Sequence, residues 1–287
     1  MPAPLLAVDA PSLLYRAFFA LPKTITGADG QPVNALLGCA NLVLQAVEKH
    51  APRAVVFCFG AEAAHYRVEL LDAYHADRPE MPEELVGQWA DAPAFFQAFG
   101  FTVLAHDELE ADDLLGALAA VETAAGGTTL LFTGDRDMFQ CVSDSVTVVY
   151  PAGRGKGEPE LVDVAGVRRR YGITPEQVPD FIALRGDPSD GIPGAKGIGE
   201  KTAAELLQEH GDLDALLALH IGLRPRVRQS LEDGADDLRA FRHIATLQPV
   251  DVERPADAPL NHLAAAKAAQ KRGMGRLAAR LEAWGGA

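Results

Sequence analysis

The chain has 287 residues, 48% of them hydrophobic, and a formal net charge of −14. This is enough apolar material for a core of one or two domains, and such acidity counts against a nucleic-acid binder unless the charge is segregated. Cys39, Cys58 and Cys141 are odd in number and lack a C-x-x-C pair, which argues against a disulfide or zinc framework and for a reducing, cytoplasmic setting. Met1–Asp9 lacks the cationic flank of a signal peptide, and no apolar run is long enough for a membrane span, so no membrane partner is expected. The charge is indeed segregated. Acids crowd into Asp72–Glu84, Glu108–Asp113 and Glu232–Asp237. Basic residues gather at Arg154, Lys156 and Arg168–Arg170, at Lys196 and Lys201, at Arg224, Arg226 and Arg228, and from Lys267 to Arg280.

In chain order, Leu5–Val8 reads as a buried strand ending at Asp9, and Ser12 as the cap of a helix through Tyr15, Phe18 and Phe19. Ala35 to about His50 is apolar at helical spacing, and Ala54–Phe59 is a second buried strand. Thr102–Ala105, Thr129–Thr133 and Val146–Tyr150 read as further strands, with Ala111–Ala124 a helix between the first two. Strands alternating with helices, without hairpin signals, predict a parallel sheet of an α/β fold. Between the second and third strands, Ala61–Asp91 is too long and too charged for a simple connection. It is expected to be a mobile, partly helical arch; a disordered surface loop is the alternative. From Pro151 the pattern changes: Gly153–Pro159 is a polar hairpin-like loop, and helices follow at Asp163–Gly172, Pro175–Arg185, Glu200–His210, Leu213–Leu219, near Arg226–Ala245 and Leu260–Trp284. The cysteines, His210 and His220 read as core residues.

In such a sheet, ligands sit beyond the C-terminal strand ends. Asp9, Glu110, Asp112, Asp113, Asp135 and Asp137 all fall at such ends. Each alone is more often a helix cap or an ion pair; together they crowd like charges that a cation would relieve. Asp187 and Asp190 complete the tally, just ahead of a Gly-Pro turn and the loop Gly197-Ile198-Gly199, which opens a helix at Glu200. Glycines and a helix start turn backbone N–H groups outward, which suits a phosphodiester. Oxygen-only ligands favour Mg²⁺ or Mn²⁺, and so many carboxylates suit two ions roughly 3.5–4 Å apart across an in-line displacement.

The string Gly186-Asp187-Pro-Ser-Asp190-Gly-Ile-Pro-Gly-Ala-Lys196-Gly-Ile-Gly-Glu-Lys201-Thr202-Ala resembles the helix–three-turn–helix of the 5′-nuclease family. That family comprises the flap endonucleases and the 5′-nuclease domain of bacterial DNA polymerase I. Leu-Leu-Ala-Val-Asp9 with Tyr15-Arg16-Ala-Phe, Glu110-Ala-Asp112-Asp113 and Thr133-Gly-Asp135-Arg-Asp137 resemble its other motifs, in matching order over residues 5 to 207. The resemblance implies a PIN-like nuclease core over residues 1–160, with the arch at about 61–91. A helical DNA-binding region would follow over 161–287, with its helix–three-turn–helix at about 182–207. It implies a first metal among Asp9, Glu110, Asp112 and Asp113, and a second among Asp135, Asp137 and Asp190, with Asp187 close by. It also implies K⁺ near Gly197-Ile198-Gly199, and a monomer holding duplex backbone through Lys196, Gly197, Ile198, Gly199, Lys201 and Thr202. Arg67, Arg78 and the residue at 75 fall where the family contacts the scissile phosphate; Arg16 is expected near the site and Tyr15 in the packing.

The helix–three-turn–helix string departs mildly from the family pattern at Gly191, in place of Asn, and Ala195, in place of Val, and two other positions depart seriously. Gly60 stands where the family has an acid at the end of the second strand, with Glu62 a candidate substitute. His75 stands where the arch carries Lys, and a neutral imidazole lacks that fixed charge. Losing one such contact costs about 10²–10³ in rate. The sequence therefore predicts a stand-alone, slowed 5′-nuclease, Mn²⁺-preferring, acting on DNA or RNA–DNA hybrid at a 5′ end or flap. The alternative is a flap- or junction-binding protein with weakened catalysis. The glycine turn and long helical second half argue against a PIN-type ribonuclease, and Asp9-Ala-Pro is not the Asp-x-Asp of a haloacid-dehalogenase-type phosphatase.

Overall fold

The computed structural model describes residues 3–152, 157–218 and 222–284. Arg154, Lys156 and His220 lie outside the described residues. Among the described residues, no helix is long and apolar enough to cross a membrane.

The chain begins as β1 (Leu5–Asp9), α1 (Ala10–Ala20), α2 (Asn34–His50) and β2 (Ala54–Phe59). The insertion follows as α3 (His65–Leu70) and α4 (Glu83–Gln97), then β3 (Thr102–Ala105), α5 (Ala111–Ala124), β4 (Thr129–Phe132), β5 (Val146–Tyr150) and β6 (Glu160–Val162). One six-stranded sheet results, in the order β3-β2-β1-β4-β5-β6. The first five strands are parallel, as the apolar runs predict. The edge strand β6 is antiparallel to β5, with Val148 opposite Val162; three residues leave no alternation by which sequence could announce it. Because β1 pairs with β2 on one side and β4 on the other, chain direction reverses around β1, and a crevice opens at its C-terminal end.

The second half supplies α6 (Val164–Tyr171), α7 (Val178–Arg185), α8 (Glu200–His210), α9 (Leu213–Ala218), α10 (Pro225–Asp233), α11 (Ala235–Ala245), α12 (His262–Lys271) and α13 (Gly275–Trp284). The expected helix near Arg226–Ala245 is thus two, broken at Gly234, and Leu260–Trp284 is also two, broken around Gly273. The helical half does not enclose a core of its own. Residues of α5, α7, α8 and α11 share one apolar cluster with one face of the sheet. Helices α12 and α13 cross to the other face and join α1, α2 and α4.

The strap between α11 and α12 is fixed by an ion cluster. Glu122, 1% exposed at the end of α5, accepts from both the Arg53 and Arg254 guanidiniums. Removing one partner from a buried cluster strands the others. Glu122→Ala is therefore expected to cost about 3–5 kcal/mol, read as a lower urea midpoint with the sheet-end site still formed.

Candidate active site

Local chemistry sets the acids in place. Asp9, not Ser12, caps α1: its Oδ1 accepts from Ser12 N at 3.0 Å, while Ser12 Oγ accepts from Gly134 N. Asp9 Oδ2 accepts from Thr133 Oγ1 at 2.6 Å, and Thr133 Oγ1 accepts in turn from Asp135 N, so one hydroxyl joins the ends of β1 and β4. Asp135 Oδ1 accepts from Asp137 N at 2.9 Å, which folds the loop back over the sheet. Glu110 and Asp113 form a reciprocal cap at the start of α5.

Asp9, Glu110, Asp112, Asp135, Asp137, Asp187 and Asp190 line one cavity of about 920 Å³. Asp113 does not; it is fully buried and turned into Arg67 at 3.2 Å and Gln248 N at 2.7 Å. Arg67 is 3% exposed and spans Asp113 and Glu110, the latter at 2.7 Å. It anchors α3 to α5 with its charge already paired. Arg16, expected near the site, is not among the residues lining the cavity; it donates to the carbonyls of Pro151 and Ala152, just past the end of β5. Tyr15 packs half-buried against the apolar cluster, as expected, and also lines the cavity against Trp89.

The insertion is folded over the cavity. Tyr74 donates to Glu110 Oε2 at 3.1 Å and stacks on His75 at 3.9 Å. His75 takes a left-handed φ of 55°. Its Nδ1 faces the Glu62 carbonyl at 2.9 Å, so Nδ1 carries the proton; its Nε2 is 3.1 Å from Asp190 Oδ1. Arg78 Nη2 donates to the same oxygen at 3.1 Å. The approach depends on Gly191 (φ 75°), where an added Cβ would run into the Ala73 carbonyl. At Gly60, a Cβ would lie inside van der Waals contact of Glu110 C and Ala111 N and 2.6 Å from Leu109 O. The β3–α5 loop therefore fills the space that a side chain at position 60 would need. Glu62 is exposed but lines the same cavity.

Burial and like charge dominate the electrostatics. Burial, then Asp135, Asp9 and Glu110, push Asp112 well above the carboxylate range. Burial, then Asp135 and Asp190, do the same for Asp137. Asp9 is raised by burial despite its two hydrogen bonds. Asp135 is pushed up to about 7 by burial and the Asp190 charge. Asp190 is also opposed by burial, but His75 and Arg78 outweigh it and hold its carboxyl below the usual value. An all-oxygen set that repels itself in this way fits a hard divalent cation. Among the described residues, no three His, Cys, Asp or Glu converge tightly enough to enclose an ion; the carboxylates are spread along the cavity.

A pH dependence follows. Asp135 titrates near 3.8 unfolded and near 7 folded, so the folded state holds the extra proton in that window. Its contribution is present below about pH 4 and is lost as pH rises through 7. In EDTA, the Asp135→Asn protein should therefore gain more Tm over the parent at pH 8 than at pH 5, and none below about pH 4. Mg²⁺, which binds the ionised form, should raise the parent's Tm by about 5 °C or more at pH 8 and less at pH 5.5.

The turn between α7 and α8 borders this cavity. Ala195 N donates to Leu184 O and Ile198 N to Ala195 O; Ile198 and Ala195 are buried, while Lys196, Gly197, Gly199 and Lys201 are exposed and Thr202 is half-buried. Gly199 caps α8 without a side-chain partner.

A family model described as the 5′-3′ exonuclease N-terminal resolvase-like domain matches residues 4–172, and one described as the 5′-3′ exonuclease C-terminal SAM fold matches 173–271. The chain belongs to the 5′-3′ exonuclease family. Among its relatives, a 5′-3′ exonuclease of Streptomyces coelicolor is 36% identical over 292 residues, covering 97% of this chain and 95% of that protein. The thermostable DNA polymerase I of Thermus thermophilus is 39% identical over 252 residues, which is 86% of this chain but 29% of the polymerase. Two solved structures share the 5′-3′ exonuclease fold. One is phage T5 5′-exonuclease with bound zinc (TM-score 0.71, 16% identity, 97% of this chain and 98% of that one). The other is the catalytic core of Rad2 with DNA substrate (TM-score 0.64, 14% identity, 98% and 90%).

Two features of the site were missed in the sequence. Arg185 lines the cavity and pairs with Asp187 at 3.0 Å, and its place two residues before that acid was the available signal. Ile244, Ala245 and Leu247 close the far wall; nothing local in their string marks them.

Proposed function

We propose that this chain is a metal-dependent, structure-specific 5′-nuclease that hydrolyses phosphodiester bonds of DNA, or of RNA–DNA hybrid, at 5′ ends and 5′ flaps. The observation that carries this reading is the set of carboxylates on buried Asp9 and half-buried Asp112, Asp135 and Asp137 at the switch point of the sheet, under an arch that brings His75 and Arg78 into the same cavity.

The carboxylates of Asp9, Glu110, Asp112, Asp135, Asp137, Asp187 and Asp190 would hold Mg²⁺ or Mn²⁺, two ions in all, with Asp113 orienting Glu110 and Arg67 rather than ligating. Bound there, divalent ions offset charge on the attacking and leaving oxygens. Arg78, 39% exposed at its side chain, is the arch cation free to leave Asp190 for a phosphate. His75 faces two acceptors, the Glu62 carbonyl at Nδ1 and the Asp190 carboxylate at Nε2, so it would donate to both only with both ring nitrogens protonated, standing as a cation where the family has Lys. Arg67 acts through Glu110. Tyr15 and Trp89 offer aromatic faces and exclude water. Lys196, Lys201 and the N–H groups of Gly197 and Gly199–Thr202 would grip duplex backbone without reading bases, with Ile198 buried beneath them and K⁺ at Gly197-Ile198-Gly199.

The test is cleavage of a 5′-labelled flap duplex in Mg²⁺, Mn²⁺ and EDTA. Metal-dependent cutting supports the reading. Tight flap binding without cutting would leave a binding protein of the same fold, and the absence of both cutting and binding would overturn the substrate class.

A further inference from the structure

The acids of the cavity divide by their partners. On the walls, Glu110 is paired with Arg67, Asp187 with Arg185 at 3.0 Å, and Asp190 with His75 and Arg78, both at 3.1 Å. On the floor, no described basic side chain comes within 4 Å of Asp9, Asp112, Asp135 or Asp137.

The wall cations are not equivalent. Arg78 is 39% exposed at its side chain and lies within the loop between α3 and α4, so a substrate can draw it away. Arg185 is 15% exposed, ends α7, and lies over the Phe181 ring at 5.3 Å. Its Nε is buried without a partner, and its charge acts on Asp137 across the cavity. Leaving would cost Arg185 both its aromatic face and its carboxylate, so it is a permanent cation between the wall acids and the floor. A divalent ion on the Asp187 side must sit beside that guanidinium and bear the repulsion at short range.

We propose that Arg185 is a resident counter-ion that supplies part of the charge a second divalent ion would bring, so that the site holds one ion tightly on the floor and a second only weakly. This rests on the metal-dependent reading above.

The test is Mn²⁺ titration of the full chain without DNA, followed by the EPR signal of free Mn²⁺ and by calorimetry. The parent should show one tight site and a second weaker by about tenfold or more. Arg185→Met should tighten the second by about tenfold or more, Arg185→Lys should keep the parent pattern, and Asp135→Asn should lose the tight site. Two equal sites in the parent, or an unchanged second site in Arg185→Met, would overturn the inference alone. No Mn²⁺ binding by the parent would overturn the metal-dependent reading with it. Should Arg185→Met not fold, Arg185→Gln carries the same expectation, and the parent stoichiometry decides by itself.

Discussion

Asp135→Asn should reduce metal-dependent flap cleavage by about 10³-fold or more and raise the Tm of the metal-free protein at pH 8. The two effects have opposite signs for one reason. Asp135 is the hub of the floor: its charge acts on both Asp112 and Asp137, and Asp190 acts on it. Asn keeps the volume and an oxygen to accept from Asp137 N, so the loop geometry survives. It deletes the charge that a cation needs and that the empty fold resists. Flap cleavage and calorimetry on the same preparation check both arms. Lost activity with a lowered Tm would instead mean that Asp135 holds the loop together.

Gly60→Asp should not gain activity; it should lose stability, by about 3 kcal/mol or more. The family pattern alone would place an acid there and expect a faster enzyme. In the fold, the backbone from Leu109 to Ala111 already occupies the space, and Ala61 N donates to Leu109 O at 2.9 Å. A Cβ would have to displace the start of α5, and with it Glu110, Asp112 and the Asp113–Arg67 pair. The expected readout is a Tm lowered by about 6 °C or more, with cleavage no faster than the parent. A stable, faster variant would show that the β3–α5 loop yields.

The sheet was legible because each buried strand is a short apolar run that stops at an acid or a turn, as at Val8-Asp9 and Phe132-Thr133. The ends of α5 and α8 were legible because Glu110 and Gly199 cap them. What sequence spacing left open was direction. Adjacent helical residues point about 100° apart, so Tyr15-Arg16 promises one side chain at the site without saying which. Likewise three acids in four residues at the start of α5 do not say which turns inward. Asp113 does, because Arg67, 46 positions earlier, waits for it. The breaks at Gly234 and Gly273 were hidden because the apolar spacing continues across both. The closeness of His75 to Asp190 depends on Gly191, a backbone requirement that no count of charged residues reveals.

The return of α12 and α13 to the sheet face covered by α1, α2 and α4 sets an order of events during synthesis. Phe95, Phe96 and Phe99 of the α4 region, and the apolar sides of α1 and α2, share their cluster with Ala265, Ala269, Leu277 and Leu281. Met274 N also binds the end of α12, next to the point where Gly273 abuts Gly27. Until residues 262–284 have left the ribosome, this surface has no lid, and the nascent sheet stays open on one side. A chain stalled before that point should expose a sticky aromatic face, recruit chaperones and resist protease poorly, even though every acid of the site has already been made.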